Sequence, residues 1–362
     1  MLDTTLGHLR ELVAFDTRNP PRVIDTGGIF DYLRRHLPGF DVQINDHGAG
    51  AVSLYAVRGK PDYLFNVHLD TVPDSPDWSA DPHRLRLDGT RAIGLGACDI
   101  KGAAAGLLAA VNASAGDAAL LFSSDEEAND PRCIAAFLRR GIPYRAVLVA
   151  EPTMSRAVLA HRGLSSVLMR FKGRAGHASG KQDAAASALH QAIRWGGRTL
   201  DYVDSLRDSR FDTLSGLRLN IGRVEGGIKA NVIAPEAELR FNFRPLPSMD
   251  IDRLLTTFAG FAEPEASEFT ETFRGPSLPA GAAAHADARR QSALAIVEQL
   301  QLPVGDAVDF WTEAALFSQA GYTALVYGPG DIAQAHTADE WVSFIQLQQY
   351  AEQAYRMIDH GA

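Results

Sequence analysis

Short apolar runs alternate with helix-like stretches between residues 52 and 150, and this alternation restricts the possible folds more than any other feature of the sequence. Residues 102–111 are small and apolar enough for a buried helix, and residues 131–140 also have a helical pattern. Strands that alternate with helices predict an α/β sheet with crossover helices. The runs with the length and composition of buried strands are 52–57, 62–70, 118–124 and 146–150.

The pattern changes near Gly163, where a smaller α+β domain is predicted to begin. A half-exposed strand, a helix and two further strands are predicted at 165–171, 184–200, 217–224 and 237–243. A segment rich in Pro, Gly and Ala follows at 275–284, and the α/β pattern then returns up to a last helix at 344–358.

At 362 residues the chain exceeds what one hydrophobic core usually serves, so two domains, or one domain with a large insertion, are expected. The predicted fold is an α/β domain built from residues 1–162 and 275–362. An α+β domain, residues 163–274, is inserted into it.

Charge and composition exclude several classes of partner. The net charge of -9 and the absence of a Lys/Arg cluster disfavour nucleic acid, whose binding depends on neutralised phosphates. The two cysteines, Cys98 and Cys133, cannot make a disulfide framework. No stretch approaches about 18 apolar residues, and the N-terminus lacks a signal-peptide pattern. We therefore expect a cytoplasmic protein that binds neither nucleic acid nor membranes.

Histidine and acidic residues follow the predicted strands or lie in loops, where they could bind metal ions. Nitrogen and carboxylate ligands without thiolates suit zinc, cobalt or manganese. A two-metal site needs about four terminal ligands and one bridging carboxylate, with the ions roughly 3.5 to 4 Å apart. The candidates are His68, Asp70, Asp99, Glu126, Glu127, Glu151 and His336.

Each candidate has an alternative explanation when it is taken alone. Glu126 and Glu127 could be the acidic start of a helix, and Asp99 could cap the helix after it. Glu151 could lie in a turn, and His336 could be a solvated loop residue. Their common position near strand ends of one inferred sheet favours a shared metal site.

Seven short motifs occur in a fixed order over nearly the whole chain. They are Asn66-Val-His-Leu-Asp70-Thr-Val-Pro, Gly94-Leu-Gly-Ala-Cys-Asp99-Ile-Lys-Gly102, Ser123-Ser-Asp-Glu126-Glu127, Ala150-Glu151-Pro-Thr153, Gly176-His177-Ala-Ser179, Asn231-Val-Ile-Ala-Pro235 and Tyr327-Gly-Pro-Gly330 with His336. In this order they resemble the metallopeptidase family that contains acetylornithine deacetylase, succinyl-diaminopimelate desuccinylase, carboxypeptidase G and aminoacylase. Seven ordered motifs make this resemblance specific.

The resemblance implies a role for each metal-ligand candidate. Asp99 would bridge two ions, with His68 and Glu151 completing one site and Glu127 and His336 the other. One or two zinc or cobalt ions per subunit are expected. The resemblance also implies that the α/β domain is the metal-binding catalytic domain and that its central sheet is mixed. The inserted domain would be ferredoxin-like and serve as lid and dimerisation domain.

Two further carboxylates are assigned to catalysis by the resemblance. Glu126 would be the general base, since a carboxylate near activated water can take its proton and deliver it to the leaving amine. Asp70 would orient the imidazole of His68 and tune its basicity.

Four residues of the inserted domain are candidates for contact with the substrate; His177, Arg244 and Asn231 match the family, whereas Lys229 departs from its pattern. His177 resembles a histidine that reaches the active site of the other subunit and hydrogen-bonds the oxyanion, so a homodimer is expected. Arg244 resembles the arginine that binds the substrate α-carboxylate. Asn231 and Lys229 lie in a loop near the expected substrate. His177 and Arg244 could instead be ordinary surface residues.

The closest resemblance is to acetylornithine deacetylases, and among these to a branch that hydrolyses N-acetyl-L-citrulline in arginine biosynthesis. The short chain, Ala97-Cys98-Asp99-Ile100 and the loop 226–231 are most similar to that branch. We therefore expect conversion of N-acetyl-L-citrulline to L-citrulline and acetate. The open alternatives are N-acetyl-L-ornithine deacetylation, dipeptidase activity, and metal-dependent binding without catalysis.

Some positions depart from the family pattern. Gly94-Leu95-Gly96 stands where relatives often have Gly-Arg-Gly, and Glu313 stands where many have Asp. Cys98 directly precedes Asp99 and is expected to be a packed residue, since buried free cysteine is common. These departures bear on fine substrate specificity and leave the predicted reaction unchanged.

Overall fold

Two compact units are formed by the chain. The first unit comprises Met1–Leu159, Arg289–Gly305 and Thr312–Ala362. The second unit comprises Ala160–Ala288 and Asp306–Trp311. The computed structural model describes residues 1–128, 130–180, 186–263 and 265–360.

Strands and helices alternate along much of the chain. The strands are β1 (Asp41–Asp46), β2 (Val52–Arg58), β3 (Tyr63–His68), β4 (Arg86–Asp88), β5 (Arg91–Ile93), β6 (Ala118–Ser123), β7 (Ala146–Val149), β8 (Leu164–Lys172), β9 (Arg210–Phe211), β10 (Leu214–Ser215), β11 (Arg218–Gly226), β12 (Glu236–Arg244), β13 (Glu268–Gly275), β14 (Ala324–Val326) and β15 (Trp341–Ser343). The α-helices are α1 (Leu2–Ala14), α2 (Ile29–Arg35), α3 (Lys101–Ala113), α4 (Arg132–Leu138), α5 (Ala188–Ser205), α6 (Ile251–Gly260), α7 (Ala286–Gln299), α8 (Ala314–Gln319) and α9 (Phe344–Asp359).

A six-stranded mixed sheet, in the order β1-β2-β6-β3-β7-β14, forms the centre of the first unit. The pairs β1–β2 and β2–β6 are antiparallel, whereas β6, β3, β7 and β14 pair in parallel. β3 and β6 are buried along their whole length, as expected for strands covered on both faces. His68 at the end of β3 lies beside Ser123 at the end of β6. The carboxyl ends of neighbouring parallel strands therefore meet at one edge, where polar side chains can converge.

Helix α3 consists largely of small residues, and it is buried from Lys101 to Val111. This composition permits close packing: a Cβ atom at Gly106 would lie 2.9 Å from Cδ1 of Tyr350 in α9. The packing fixes where α3 begins, and so fixes the loop before it that carries Asp99. α3 has only 13 residues, and no helix in the described part of the chain is both long and apolar enough to cross a membrane.

The second unit has the β-α-β-β-α-β order of a ferredoxin-like fold, with β8, α5, β11, β12, α6 and β13. Its antiparallel strands lie in the order β11-β12-β8-β13. Apolar side chains from one face of this sheet pack against both helices. Trp195 of α5, Phe241 of β12 and Phe258 of α6 are buried in this core. The predicted fold class, an α/β domain with a mixed sheet and an inserted α+β domain, is confirmed.

A buried guanidinium holds residues 306–311 in the second unit. Nε of Arg162 donates to Oδ1 of Asp309 at 2.5 Å, and Nη2 donates to the carbonyl oxygen of Ser215 at 2.6 Å. Nε1 of Trp311 donates to the carbonyl oxygen of Pro276 at 2.9 Å. The unit boundaries consequently differ from the predicted division at 162 and 275, since 306–311 packs with the second unit. The catalytic and lid roles of the two domains stay predictions.

Edge strands account for most elements that the sequence analysis did not predict. β1 and β13 each lie at the edge of a sheet, and their partly exposed side chains give a weak apolar pattern. The predicted helix 184–200 is α5, which begins at Ala188 because Ser187 accepts a hydrogen bond from the N–H of His190. Residues 184 and 185 of that prediction lie outside the described residues.

Replacing Gly106 with alanine should lower the free energy of unfolding by up to about 2 kcal/mol. Overpacking against Tyr350 costs about 1–3 kcal/mol, and the better helix propensity of alanine returns about 1 kcal/mol. Gly7 in α1 is a matched control, because nothing lies within 4 Å of a Cβ atom built there. Gly7→Ala should stabilise by about 0.5–1 kcal/mol. Urea unfolding followed by circular dichroism measures both, and equal effects would contradict the close α3–α9 packing.

Candidate active site

Candidate ligands from three neighbouring strands meet at the carboxyl edge of the six-stranded sheet. His68 is the last residue of β3, Glu127 follows β6 and Glu151 follows β7. Asp99 comes from the loop before α3, and His336 comes from the segment between β14 and β15. All five belong to the first unit.

The first ligand group is His68, Asp99 and Glu151, whose potential ligand atoms all lie within 4.8 Å of one another. Nε2 of His68 is 3.1 Å from Oδ1 of Asp99 and 3.8 Å from Oε1 of Glu151. Nδ1 of His68 is 3.0 Å from the carbonyl oxygen of Asp70. That contact assigns the N–H to Nδ1 and leaves Nε2 to face the carboxylates, as in metal-binding histidines. All three side chains are buried.

The second ligand group is Asp99, Glu127 and His336, again with ligand atoms within 4.8 Å of one another. Nε2 of His336 is 3.0 Å from Oε1 of Glu127 and 3.4 Å from Oδ2 of Asp99. Asp99 therefore presents one oxygen to each group, as a bridging carboxylate must. It does not cap α3, which begins without a side-chain cap. The His336 side chain is 53% exposed, so this group is open to solvent on one side.

Asp70 connects His68 to two other segments of the first unit. Its Oδ1 lies 3.5 Å from Nδ1 of His68. Its Oδ2 accepts a hydrogen bond from the backbone N–H of Glu127 at 3.0 Å and another from Nδ2 of Asn19 at 2.9 Å. Since Asp70 is fully buried, these contacts fix both the imidazole of His68 and the main chain at Glu127.

The two ligand groups together with Asp70 and Glu126 contain five carboxylates and two imidazoles, so negative charge exceeds positive charge there. Burial, followed by the charges of Asp99 and Glu127, raises the pKa of Glu151 to about 7 against the opposing effect of His68. Hydrogen bonds to Asp99 and Glu127 raise the pKa of His336 to about 10. Carboxylates buried against one another need compensating cations. The donor set of nitrogen and oxygen atoms, without thiolates, therefore fits a pair of divalent ions.

Glu126 belongs to neither ligand group, although Glu127 beside it does. Burial raises the pKa of Glu126 well above its usual range; His68 opposes this shift, and Glu151 and Glu127 add to it. A carboxylate in such an environment can accept a proton and return it. The alternative of an acidic helix start is wrong, because α4 begins only at Arg132.

Two residues that depart from the family pattern are buried in the first unit and lie outside both ligand groups. Cys98 is fully buried, burial raises the pKa of its thiol, and its Sγ donates to the carbonyl oxygen of Asp331 at 3.3 Å. It is a packed residue, as expected. Glu313 is 1% exposed, and its Oε2 accepts a hydrogen bond from Oγ of Ser123 at 3.1 Å. Glu313 is therefore part of the buried support beneath the strand ends.

The sequence analysis missed Glu340 and Asn19. The carboxylate of Glu340 is buried and accepts a hydrogen bond from the backbone N–H of Asp99 at 2.9 Å. Burial, followed by the charge of Asp99, raises the pKa of Glu340 to about 8, while its backbone N–H donors oppose the shift. Asp99 and Glu340 are 241 residues apart, and a bond to main-chain N–H leaves no side-chain motif. Only the position of Glu340 close after His336 could have drawn attention to it.

Three of the four candidates in the second unit lie close together. An isolated β-bridge pairs His177 with Val232, the residue after Asn231. The N–H of Val232 donates to the carbonyl oxygen of Lys229 at 3.0 Å. His177 is exposed, and its Nδ1 lies 2.8 Å from Oγ of Ser179. The structure thus brings His177, Asn231 and Lys229 into one exposed loop region.

Arg244 lies at the opposite end of β12 from this loop region. Its Nη1 donates to the carbonyl oxygen of Asp309 at 3.3 Å, and its own carbonyl oxygen accepts from Nη1 of Arg162 at 3.2 Å. The main chain at Arg244 is therefore anchored, and its guanidinium is partly exposed. With about 3.3 Å per residue along β12, Arg244 and the His177 region are roughly 25 Å apart in one copy of the second unit.

Comparison with known sequences identifies the family. Residues 64–360 match Peptidase family M20/M25/M40. The chain is 73% identical over 360 residues to an N-acetyl-L-citrulline deacetylase from Xanthomonas campestris pv. campestris, covering 99% of this chain and 98% of that protein. It is 31% identical over 383 residues to an acetylornithine deacetylase from Myxococcus xanthus, covering 97% and 96%.

Solved structures show the same fold at low sequence identity. Aminopeptidase PepT from Bacillus cereus superposes with a TM-score of 0.74 at 18% identity, covering 99% of this chain and 98% of that one. A dinuclear metal binding peptidase of the M20 family from Bacillus subtilis gives 0.66 at 15% identity, with the same coverage. Likeness at this level supports the fold alone. The family match, the full-length relatives and the fold agree with the seven ordered motifs, and the chain belongs to peptidase family M20/M25/M40.

Proposed function

We propose that this protein is a metal-dependent deacetylase that converts N-acetyl-L-citrulline to L-citrulline and acetate in arginine biosynthesis. The observation that carries the proposal is the carboxylate of Asp99, which joins two ligand groups beside an acid, Glu126, that belongs to neither. The full-length similarity to an N-acetyl-L-citrulline deacetylase supports the choice of substrate. The cytoplasm is the proposed compartment, where the free thiols of Cys98 and Cys133 would stay reduced.

Five side chains would hold one or two divalent ions per subunit, and zinc or cobalt suits their donor atoms. His68, Asp99 and Glu151 would hold one ion, and Asp99, Glu127 and His336 the other. Such ions, when bound, supply a lowered pKa for water and electrostatic stabilisation of a developing oxyanion. The excess of buried carboxylates over imidazoles supports this assignment, because the cluster lacks the positive charge that the ions would bring.

Glu126 would carry the proton through the hydrolysis. Its carboxylate takes a proton from water as the water oxygen attacks the carbonyl carbon of the acetyl group. It returns that proton to the α-amino nitrogen as the C–N bond breaks, which leaves acetate and the free amino acid. Asp70 holds the imidazole of His68 in one orientation during these steps. Arg244 would bind the α-carboxylate of the substrate through its guanidinium.

The side chain of the substrate distinguishes the two leading candidates. Citrulline carries a neutral ureido group that hydrogen bonds can recognise, whereas ornithine carries an ammonium group that requires an acidic partner. Lys229 in the loop region of His177 and Asn231 would repel the ammonium group. N-acetyl-L-ornithine is the second candidate, because an acetylornithine deacetylase also aligns over nearly the full chain.

A homodimer through the inserted domain is the proposed assembly. β11 is an edge strand of the four-stranded sheet, so its outer N–H and C=O groups can pair with another chain. Large apolar side chains are exposed on α5 and near β11, which is typical of a protein–protein interface. They are Ile193 at 66%, Leu200 at 47%, Val224 at 49% and Ile228 at 73% exposure.

The length of β12 also supports a site completed by two subunits. Arg244 and His177 lie at opposite ends of this strand, roughly 25 Å apart, which is farther than an N-acetyl amino acid can span. Both residues can contact one substrate molecule only if they come from different copies of the second unit. We propose that His177 of the partner subunit donates a hydrogen bond to the oxyanion.

Metal-stripped protein reloaded with cobalt should hydrolyse N-acetyl-L-citrulline with at least about a tenfold higher kcat/KM than N-acetyl-L-ornithine, because like charges brought together in a binding site are costly. Steady-state kinetics with both substrates and with zinc in parallel measures the preference. Lys229→Gln should reduce the ratio of the two kcat/KM values without abolishing activity. A preference for N-acetyl-L-ornithine would change the substrate assignment and keep the mechanism.

Glu126→Gln should lower kcat by about 10²- to 10⁴-fold, since the amide cannot accept the proton from water. Metal content after dialysis should equal that of the unaltered protein, because Glu126 is outside both ligand groups. Glu298→Gln, the same change at an exposed position on α7, is the matched control and should keep full activity. Unchanged turnover in Glu126→Gln would remove the proposed general base.

Mixing two inactive variants tests whether His177 acts across the dimer. His177→Ala should lower kcat by about 10²-fold or more and leave metal content unchanged. Co-expression of His177→Ala with Glu126→Gln should restore about a quarter of normal activity, because half of the dimers are mixed and each has one complete site.

The controls are each variant expressed alone and the mass of every sample by light scattering. If His177 acted within its own chain, mixed dimers would contain no complete site and activity would stay at the level of the single variants. A monomeric mass for the unaltered protein at full activity would likewise contradict the dimer proposal.

A further inference from the structure

Glu340 is a buried carboxylate whose hydrogen bonds all go to one loop. Its Oε1 accepts from the N–H of Cys98 at 2.7 Å and from the N–H of Asp99 at 2.9 Å. Its Oε2 accepts from the N–H of Gly96 at 3.0 Å. The side chain is 2% exposed, so these three donors take the place of water. The loop 94–99 is therefore wrapped around the end of one acidic side chain.

The segment that carries Glu340 also carries His336, and further contacts join it to the same loop. The N–H of Gly94 donates to the carbonyl oxygen of Glu340 at 3.0 Å. Directly after Glu340, β15 pairs with β5, the strand that leads into the loop. Sγ of Cys98 donates to the carbonyl oxygen of Asp331 at 3.3 Å. Two ligands of the second group, Asp99 and His336, are thus held by segments that are bound to each other.

The loop has a conformation that needs such support. Gly96 has a φ of +77°, and a Cβ atom there would lie 2.7 Å from Cγ2 of Thr71 and 3.0 Å from Cδ of Lys101. Successive N–H groups that point to one side form a concave site for an anion. The carboxylate of Glu340 fills this site from within the protein. Glu340 is consequently unlike the ligand carboxylates, because its oxygens are occupied by main-chain donors.

A buried lysine next to the loop interacts electrostatically with Glu340. Lys101, the first residue of α3, is fully buried and donates from Nζ to the carbonyl oxygen of Phe15 at 3.0 Å. Its own N–H donates to the carbonyl oxygen of Gly96 at 2.7 Å. The positive charge of Lys101 and the N-terminus of α3 together offset part of the cost of burying the Glu340 carboxylate.

We infer that Glu340 is a positioning residue that holds the Asp99 carboxylate in register with His336 and so sets the affinity of the second ligand group for its ion. The inference rests on the proposed dimetal function. Loss of the Glu340 side chain removes the three hydrogen bonds that join the segment of His336 to the Asp99 loop, whereas the main-chain contacts between the two segments remain. These two segments carry two of the three ligands in the second group, Asp99 and His336, and only one of the three in the first group, Asp99. The two ions should therefore respond unequally.

The test is cobalt binding by Glu340→Leu and Glu340→Gln, measured by equilibrium dialysis and by the cobalt absorption spectrum. Leucine removes both acceptors, whereas glutamine keeps one oxygen and places an amide N–H₂ against the loop. Asp339→Asn is the matched control, since it removes one charge from the neighbouring residue, which contacts Ser79 and Arg86 instead. Asparagine also tolerates the left-handed φ of 54° at this position.

Glu340→Leu should weaken the ion of the second group by about 10- to 100-fold, as is typical when the support of a metal ligand is lost. Glu340→Gln should have a smaller effect of the same sign, and Asp339→Asn should bind like the unaltered protein. His336→Ala identifies the second ion as the one that it loses. In the His336→Ala background, Glu340→Leu should change the affinity of the remaining ion much less than it changes that of the second ion.

Two outcomes would overturn the inference. One is normal affinity for both ions in Glu340→Leu and Glu340→Gln, with unfolding temperatures that show folded protein. The other is an equal loss at both ions, which would make Glu340 a general support of the fold. If the unaltered protein itself bound no second ion, the dimetal proposal would fail instead, and the two failures are distinguishable.

Discussion

The two oxygens of one carboxylate, that of Asp99, face two histidines that lie 268 residues apart in sequence, and the rest of the first unit places these three side chains. β3 ends in His68 in register with the end of β6, the packing of α3 fixes the start of the Asp99 loop, and the β15–β5 pairing brings in the segment of His336. Ligand distances tolerate only a few tenths of an ångström of error. The parallel strands of the sheet, the small residues of α3 and the buried hydrogen bonds of the loop therefore all contribute to the spacing of these three side chains.

Much of this arrangement could be predicted from the sequence. The apolar runs that became β3, β6 and β7 end at His68, before Glu127 and before Glu151, and the rule that parallel strands end together already brings these ligands to one edge. The edge strands β1 and β13 were missed, because half-exposed strands carry a weak pattern. Glu340 and Asn19 were missed for a different reason. The partners of Glu340 are three main-chain N–H groups and that of Asn19 is the side chain of a buried acid, and neither kind of contact produces a recognisable spacing in the sequence.

The second unit shows how strand length can bear on assembly. Its sequence-predicted residues separate into two sets, His177, Asn231 and Lys229 at one end of β12 and Arg244 at the other. A single small substrate cannot bridge them within one copy. The exposed edge of β11 and the apolar side chains on α5 are the features by which a second copy would be recognised. If both sets contact one substrate molecule, as proposed, their separation within one unit requires a second copy.

The buried acids of the first unit differ in the nitrogen groups that surround their carboxylates. Asp99, Glu127 and Glu151 face imidazole nitrogens and remain available to cations. The oxygens of Glu340 are taken up by main-chain N–H groups, and one oxygen of Asp70 accepts from a main-chain and a side-chain N–H, so these two acids act as supports. In the described part of the chain, Glu126 has neither a histidine at ligand distance nor such an anchor, which agrees with the general-base role proposed for it. Hydrogen-bond donors favour the charged form of a carboxylate and burial disfavours it, so the surroundings of each acid distinguish a support from a candidate ligand and from the proposed base.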